Sequence, residues 1–112
     1  MTNVEEKIQS ECYKWFWNTY IFHRQMLFHV DNNSYNAIIG AKKKALGVCK
    51  GVSDMILVLD KNVLFIEFKA PGETQKPEQK TFEIKVTQRG HLYMVVESVQ
   101  EFKDLINQII GI

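Results

Sequence analysis

The feature that most constrains this fold is a pair of short apolar runs on either side of a turn-like tripeptide. Residues 55–59 read Met-Ile-Leu-Val-Leu and residues 63–66 read Val-Leu-Phe-Ile, with Asp60-Lys61-Asn62 between them. Apolar, β-branched runs joined by turn-forming residues are typical of a β-hairpin. The pattern therefore predicts paired strands near the middle of the chain. Charged residues flank both ends of this unit: Asp54 before it, and Glu67 and Lys69 after it.

The register of the hairpin decides whether these charged residues can act together. If Lys61-Asn62 is a two-residue loop, Asp54 lies opposite Lys69, and Asp54, Glu67 and Lys69 share one face of the sheet. A loop one residue longer would move Asp54 to the other face. Two carboxylates and an amine on one face are suited to hold a divalent metal against a phosphate. An ordinary salt-bridge cluster at a sheet edge is the alternative.

A helix is predicted at the N-terminus, from Thr2 to Asn18, because Thr2-x-x-Glu5 forms a capping box. Four residues of this helix are spaced so that they lie on one face: Val4, Ile8, Glu11 and Trp15. This pattern predicts that Glu11 lies on the face that packs against the sheet. The acids Glu5 and Glu6 do not lie on that face. They are interpreted as solvated charges, which are favourable near the helix N-terminus.

A buried Glu11 pointing at the sheet would bring three carboxylates together with Asp54 and Glu67. Three carboxylates in one place repel each other unless a cation neutralises them. The sequence therefore predicts a metal site that includes Glu11.

Capping and breaking residues predict the remaining elements. A helix is expected from about Ser34 to Leu46, closed by Gly47, and another is expected to begin at Pro77 and end at Gly90. His91–Val96 is typical of a buried parallel strand, and a second capping box, Ser98-x-x-Glu101, opens a final helix. The predicted order is helix, strand, helix, two hairpin strands, helix, strand, helix. This order predicts an α/β fold with a small mixed sheet flanked by helices.

Ordered motifs over nearly the whole chain resemble the virus-type replication-repair nuclease (VRR-NUC) domain, a branch of the PD-(D/E)XK nuclease superfamily. The matching residues are Glu11, the segment 27–32, Gly47-Val48-x-Lys50-Gly51-Val52-Ser53-Asp54, Glu67-Phe68-Lys69, Gly72, Gln79 and Gly90. Two positions depart from the family pattern: Ser53 stands where a proline is usual, and Lys76 where a serine is usual. Neither departure removes a metal ligand, and Lys76 adds a positive charge near the site.

The resemblance implies a restriction-endonuclease-like fold and a defined set of site residues. In the family, the equivalents of Glu11, Asp54, Glu67 and the main-chain carbonyl of Phe68 bind Mg²⁺ or Mn²⁺, and oxygen ligands suit these hard cations. By the same resemblance, the catalytic residues are Asp54, Glu67, Lys69 and Gln79. Lys69 would position the attacking water or stabilise the phosphate, and Gln79 would orient Lys69 or the water.

Clustered positive charge points to DNA as the partner, although the net charge is only +1. The predicted phosphate-binding residues are Lys42, Lys43, Lys44, Lys50 and Lys76. The alternative interpretation is that the lysines at the end of the second helix are simply solvated.

Length and composition predict one domain over residues 1–112, without a membrane span or signal peptide, in the cytoplasm of a bacterium or phage-infected cell. Cys12 and Cys49 lack metal-ligand spacing and are expected to be buried free thiols. Because Trp15, Phe16 and Trp17 cannot all face one core, at least one is available to a partner, which favours a homodimer.

The predicted function is a metal-dependent endodeoxyribonuclease acting on branched DNA such as four-way (Holliday) junctions. Two alternatives remain open: a catalytically weak DNA-binding module, or an accessory subunit of a replication or repair assembly.

Overall fold

The fold is described from a computed structural model, which covers residues 1–31 and 36–111. The elements in these ranges are α1 (Asn3–Thr19), a short 3-10 helix (Ile21–His23), β1 (Leu27–His29), α2 (Ala37–Ala45), β2 (Met55–Val58), β3 (Val63–Phe68), α3 (Pro77–Gln88), β4 (Leu92–Val96) and α4 (Val99–Ile110). The predicted order of helices and strands is confirmed. The predicted start of the second helix at Ser34 lies outside the described residues.

The four strands form one mixed sheet in the order β1-β2-β3-β4. Strands β1, β2 and β3 are antiparallel, whereas β3 and β4 are parallel. Helix α3 connects the parallel pair, as a crossover between parallel strands requires. The predicted α/β class with a small mixed sheet is therefore confirmed.

The β2–β3 hairpin has a two-residue loop, but the predicted register is wrong by two residues. Val58 pairs with Val63, and the N–H of Leu59 donates to the carbonyl of Asn62, so the loop is Asp60-Lys61 and not Lys61-Asn62. Continued one pair beyond β2, this register places Asp54 opposite Glu67. Side chains alternate with a period of two, so a shift of two residues leaves Asp54 on the predicted face.

One face of the sheet carries the main apolar core, under α1 and α4. Its fully buried members include Cys12 and Phe16 of α1, Ile66 and Phe68 of β3, and Phe102 of α4. Alternate residues of β3 point to this side, as expected for a strand with two different faces. Phe68 thus anchors its strand in the core, and the residues on either side of it, Glu67 and Lys69, point to the other face.

Helix α3 covers the opposite face of the sheet. The ring of Phe82 packs edge-on against Phe65, with centroids 5.1 Å apart, and lies 6.4 Å from the ring of Tyr93. Phe65 and Glu67 alternate on this face, so Glu67 is enclosed on the side of the sheet that α3 covers.

The rotation of α1 about its axis differs from the prediction. Its buried residues are Glu5, Cys12 and Phe16, whereas Glu11 is exposed and Val4 is 51% exposed. The predicted stripe was offset from the true one by a single residue, which is about 100° of rotation. The apolar residues of α1 lie on more than one side of the helix, so their spacing alone did not fix the buried side.

The helix caps were predicted correctly, and the cysteines in part. Ser98 caps α4 by accepting from the N–H of Glu101, and Gly47 and Gly90 adopt positive φ angles just beyond α2 and α3. Cys12 is a buried free thiol, as predicted, but Cys49 is exposed. Within the described ranges, no helix combines the length and apolar character that crossing a bilayer requires.

Candidate active site

A cleft of about 520 Å³ opens where the N-termini of α1 and α3 meet the ends of β2 and β3. The residues that line it are Met1, Glu5, His29, Gly40, Lys43, Lys44, Val48, Cys49, Lys50, Gly51, Asp54, Phe68, Lys69, Lys76, Glu78 and Gln79. Carboxylates, lysines and an amide thus converge on one concave surface.

Asp54 is held rigidly at the start of the hairpin. Its Oδ2 accepts a hydrogen bond of 2.7 Å from the backbone N–H of Phe68, and its carbonyl oxygen accepts one of 2.9 Å from Val30. His29 places its Nδ1 2.8 Å from the same carbonyl oxygen. Burial raises the pKa of the Asp54 carboxyl, the hydrogen bond from Phe68 opposes this rise, and the charge of Glu5 adds to it.

Glu67 is buried without the hydrogen bonds that a carboxylate needs. The residue is 1% exposed, and neither Oε1 nor Oε2 accepts a hydrogen bond from the described parts of the chain. Burial raises its pKa, the charge of Lys69 lowers it, and Asp54 raises it. Hydrogen bonding from the nearby Tyr93 and Gln75 side chains makes a smaller contribution and lowers it. A buried charge with so few hydrogen-bonding partners is costly for the folded protein.

Lys69 is 5% exposed and lines the cleft. Among residues 1–31 and 36–111, its Nζ makes no ion pair within 4.0 Å. Its charge nevertheless lowers the pKa of both Glu67 and Asp54. The described contacts therefore do not support the alternative of an ordinary salt-bridge cluster.

The acid that α1 brings to the cleft is Glu5, not the predicted Glu11. Glu5 is 6% exposed, lines the cleft, and is close enough to Asp54 for its charge to raise the Asp54 pKa. Its backbone N–H donates to Thr2 Oγ1, which caps α1, and the Thr2 hydroxyl donates to Glu5 Oε2 at 3.0 Å. Sequence reasoning assigned Glu5 to solvent. The available signal was its spacing of seven and eleven residues from Cys12 and Phe16.

Gln79 lies at the cleft, at the start of α3. Its Oε1 accepts a hydrogen bond of 2.7 Å from the backbone N–H of Lys76, so part of its role is to cap this helix. The loop before β2 packs tightly on the same turn. A Cβ added to Gly51 would lie 2.4 Å from the carbonyl oxygen of Glu78, and the φ of Gly51 is +87°. Glycine is therefore required for this approach.

The comparisons with known proteins show the family and the fold of the chain. The family model of the VRR-NUC domain matches residues 5–100, which is most of the chain. The chain belongs to the VRR-NUC domain family. A solved VRR_NUC domain protein has the same fold, with a TM-score of 0.75 and 23% sequence identity over 95% of this chain and 87% of that one. A comparison with curated proteins gave no match.

Membership of the VRR-NUC family makes this a nuclease-type, DNA-processing domain. Four of the five predicted phosphate-binding lysines line its cleft: Lys43, Lys44, Lys50 and Lys76. Lys42 is exposed but does not line it. Lys43 also forms an ion pair of 3.7 Å with Asp31. The structure thus brings most of the predicted phosphate-binding lysines to the side where the carboxylates lie.

The acidic residues of this VRR-NUC domain do not by themselves form a complete cage for a metal ion. In the described ranges, no three His, Cys, Asp or Glu side chains are close enough to hold one. Mg²⁺, however, usually takes one or two protein carboxylates and completes its shell with water and substrate phosphates. Asp54 and Glu67 offer such oxygen ligands. Phe68 lines the cleft although its side chain lies in the core, so it is the main chain of Phe68 that reaches the cleft. The donor set therefore fits a hard divalent cation.

Proposed function

We propose that this VRR-NUC domain is an endodeoxyribonuclease of the PD-(D/E)XK type that uses Mg²⁺ or Mn²⁺ to hydrolyse phosphodiester bonds. The observation that carries the proposal is the buried Glu67 carboxylate, whose oxygens accept no hydrogen bond from the described residues. It is adjacent in sequence to Phe68 and Lys69, which line a cleft rich in lysine. A glutamate with a purely structural role would destabilise the fold at such a position, because no interaction offsets the free energy of desolvating its charge.

Asp54 and Glu67, with the main-chain carbonyl of Phe68, would hold the metal. When bound, the ion polarises the phosphoryl oxygen and lowers the pKa of a coordinated water. The hydrogen bond from Phe68 fixes the Asp54 carboxylate, so its position costs little reorganisation during the reaction.

Lys69 would act on the scissile phosphate directly. Its nearly complete burial keeps bulk water away from the ammonium, and a fixed positive charge in such surroundings stabilises negative charge that develops on the phosphate. Gln79 would orient Lys69 or the water through its amide nitrogen, because its oxygen is occupied by the backbone of Lys76.

Glu5 takes the place predicted for Glu11 in this proposal. It is the buried carboxylate of α1 that lines the cleft, and it would help to hold the ion, directly or through a coordinated water.

Matched glutamine variants test this assignment. Glu5→Gln retains the backbone N–H that donates to Thr2 and an amide oxygen that can accept from the Thr2 hydroxyl, so the start of α1 should be preserved. We expect it to weaken Mn²⁺ binding in titration calorimetry and to lower DNA cleavage at least tenfold, whereas Glu11→Gln leaves both unchanged. The opposite result, with Glu11→Gln impaired and Glu5→Gln intact, would overturn the assignment.

Cleavage itself is tested on linear, flap and four-way-junction DNA with Mg²⁺ or Mn²⁺, beside Glu67→Ala. Loss of cleavage in the variant is expected. Equal cleavage by wild type and Glu67→Ala would mean that the activity belongs to a contaminant, and the nuclease function would be rejected.

We further propose that the active species is a homodimer that acts on four-way junctions. Apolar side chains at the end of α1 and just after it are exposed: Phe22 by 98%, Ile21 by 58% and Trp17 by 38%. Burying such side chains between two copies is favourable, and two sites related by a twofold axis suit a symmetric junction. Light scattering should give a dimer mass at micromolar concentration, and Phe22→Ser should shift it towards the monomer. A strict monomer of the wild type would refute this part.

A DNA-binding module without turnover is the second candidate. One observation favours it: Glu67 is not among the residues that line the cleft. Such a module would bind branched DNA through its lysines without needing a metal. Tight DNA binding that is unchanged by Mn²⁺ and by Glu67→Ala, without cleavage of any substrate, would support this candidate over the enzyme.

A further inference from the structure

A polar chain of three side chains lies on the same side of the sheet as Glu67 and is not used in the site described above. Gln75 Nε2 donates to Glu83 Oε1 at 3.1 Å and to the hydroxyl oxygen of Tyr93 at 3.3 Å. An amide NH₂ group has two hydrogens to donate, so these two contacts use both. The chain joins the loop before α3, the helix itself and strand β4.

Tyr93 is left with a hydrogen to donate. Its oxygen accepts from Gln75, and the Glu67 carboxylate is close enough to act on the Tyr93 side chain both as a charge and as a hydrogen-bond partner. A phenolic O–H in a half-buried position usually finds an acceptor.

Glu67 is the nearby group that has acceptors to offer. In the parallel register Tyr93 pairs with Phe65, and Glu67 pairs with Val95, so Tyr93 and Glu67 are diagonal neighbours on one face of adjacent strands. Both oxygens of Glu67 are buried without a hydrogen bond from the described residues. The two groups interact, because the charge of Glu67 raises the pKa of Tyr93, second to burial. The Tyr93 hydroxyl, which has a hydrogen to donate, thus lies beside the acceptor oxygens of Glu67.

We propose that Glu83, Gln75 and Tyr93 form a relay that directs the Tyr93 hydroxyl hydrogen to one oxygen of Glu67, which turns the other oxygen towards the metal. Glu83 fixes the Gln75 amide, the amide fixes the Tyr93 oxygen, and the tyrosine hydrogen then points away from Gln75. Tyr93 and Gln75 are therefore positioning residues, and neither contacts the metal or the DNA. This proposal rests on the nuclease function proposed above.

Removing the hydroxyl tests the relay with little change in packing. Tyr93→Phe keeps the ring that packs near Phe82, so the variant is expected to fold. Partners that hold a metal ligand in place typically contribute about 10- to 100-fold in metal affinity or activity. We expect Tyr93→Phe to weaken Mn²⁺ binding in titration calorimetry by at least about tenfold and to lower kcat while KM for DNA stays constant. Tyr13→Phe, at a tyrosine of α1 that is 37% exposed, is the matched control and should bind Mn²⁺ as the wild type does.

A double-mutant cycle separates a relay from general loosening of the fold. Gln75→Leu should weaken Mn²⁺ binding in the wild type but have no further effect in the Tyr93→Phe background, because residues that act in series are not additive. Fully additive losses, or unchanged Mn²⁺ affinity in Tyr93→Phe, would overturn the relay. If the wild type binds no Mn²⁺ at all, the nuclease function fails, and the relay fails with it. If the wild type binds Mn²⁺ and neither Tyr93→Phe nor Gln75→Leu weakens this binding, the relay is rejected while the nuclease function stands.

Discussion

Replacing Glu67 with glutamine should stabilise the metal-free protein while abolishing its function. The carboxylate is 1% exposed, and burial is the largest cause of its raised pKa. The hydrogen bond proposed from Tyr93 would serve only one of its two oxygens, so the other is left without a donor when no metal is bound. A buried polar group left without partners costs about 1–3 kcal/mol, and more if it is charged. The neutral amide has the same shape without the charge, so the free energy of unfolding should rise by about 2 kcal/mol at neutral pH. For a chain of this length that corresponds to a rise of roughly 8 °C in Tm.

The dependence on pH follows from the direction of the pKa shift. Burial raises the pKa of Glu67 in the folded protein, so the folded state binds its proton more tightly than the unfolded state does. Above the folded pKa the carboxylate is charged in both states, and its full cost is present. Below the ordinary value of 4.5 it is protonated in both states, and the cost disappears. The difference in Tm between Glu67→Gln and wild type should therefore shrink as the pH falls towards about 4.

Calorimetric or fluorescence melts over a pH series measure this directly. Glu11→Gln, at an exposed position, is the control and should melt with the wild type. Mn²⁺ at a hundred times its Kd should increase the free energy of unfolding of the wild type by about 2.7 kcal/mol and so raise its Tm. The Tm of Glu67→Gln should not change when Mn²⁺ is added. The reasoning is refuted if Glu67→Gln melts at or below the wild type without metal, or if the difference in Tm does not change with pH.

Three further predictions concern the frame of the site. Gly51→Ala should lower stability by more than about 1 kcal/mol, because the φ is positive and the new Cβ meets the Glu78 carbonyl at 2.4 Å; a chemical denaturation midpoint equal to that of the wild type would contradict this. Ser53→Ala should cost about 1 kcal/mol, since the fully buried hydroxyl donates to the Met55 carbonyl at 3.0 Å, and unchanged stability would show that this bond contributes nothing. Lys50→Ala should weaken DNA binding and reduce the slope of log affinity against log salt concentration by about one unit. A fluorescence anisotropy titration at several salt concentrations measures this slope. An unaltered slope would show that Lys50 is not part of the DNA interface.

Ser53 shows how a departure from the family pattern is accommodated. The sequence identified it as standing where a proline is usual, and the structure places it fully buried directly before Asp54. Its hydroxyl donates across the start of β2 to the carbonyl of Met55. This hydrogen bond restrains the backbone that presents Asp54, as a proline ring restrains it by fixing φ.

Local sequence determined much of the fold because its signals act over a few residues. Capping residues set the starts of α1 and α4, proline and glycine set the bounds of α3, and apolar alternation with a turn set the β2–β3 hairpin. The faces of Asp54, Glu67 and Lys69 were also predictable, because face depends only on parity along the strand. This is why the triad was placed together even though the predicted register was wrong by two residues.

Only the tertiary structure decided which acid of α1 reaches the cleft. Apolar residues occur on several sides of this helix, and one residue of rotation exchanges Glu11 for Glu5. The side that becomes buried is the one on which Cys12 and Phe16 pack into the core. Glu5 shares the spacing of these two residues, but the spacing of Val4, Ile8 and Trp15 competes with it, and only packing against the sheet decides between them. The same holds for the chain from Glu83 through Gln75 to Tyr93, whose members are apart in sequence and meet through the parallel pairing of β3 with β4. Sequence determined which side chains lie on each face of the sheet, and packing between elements decided which of them meet Glu67.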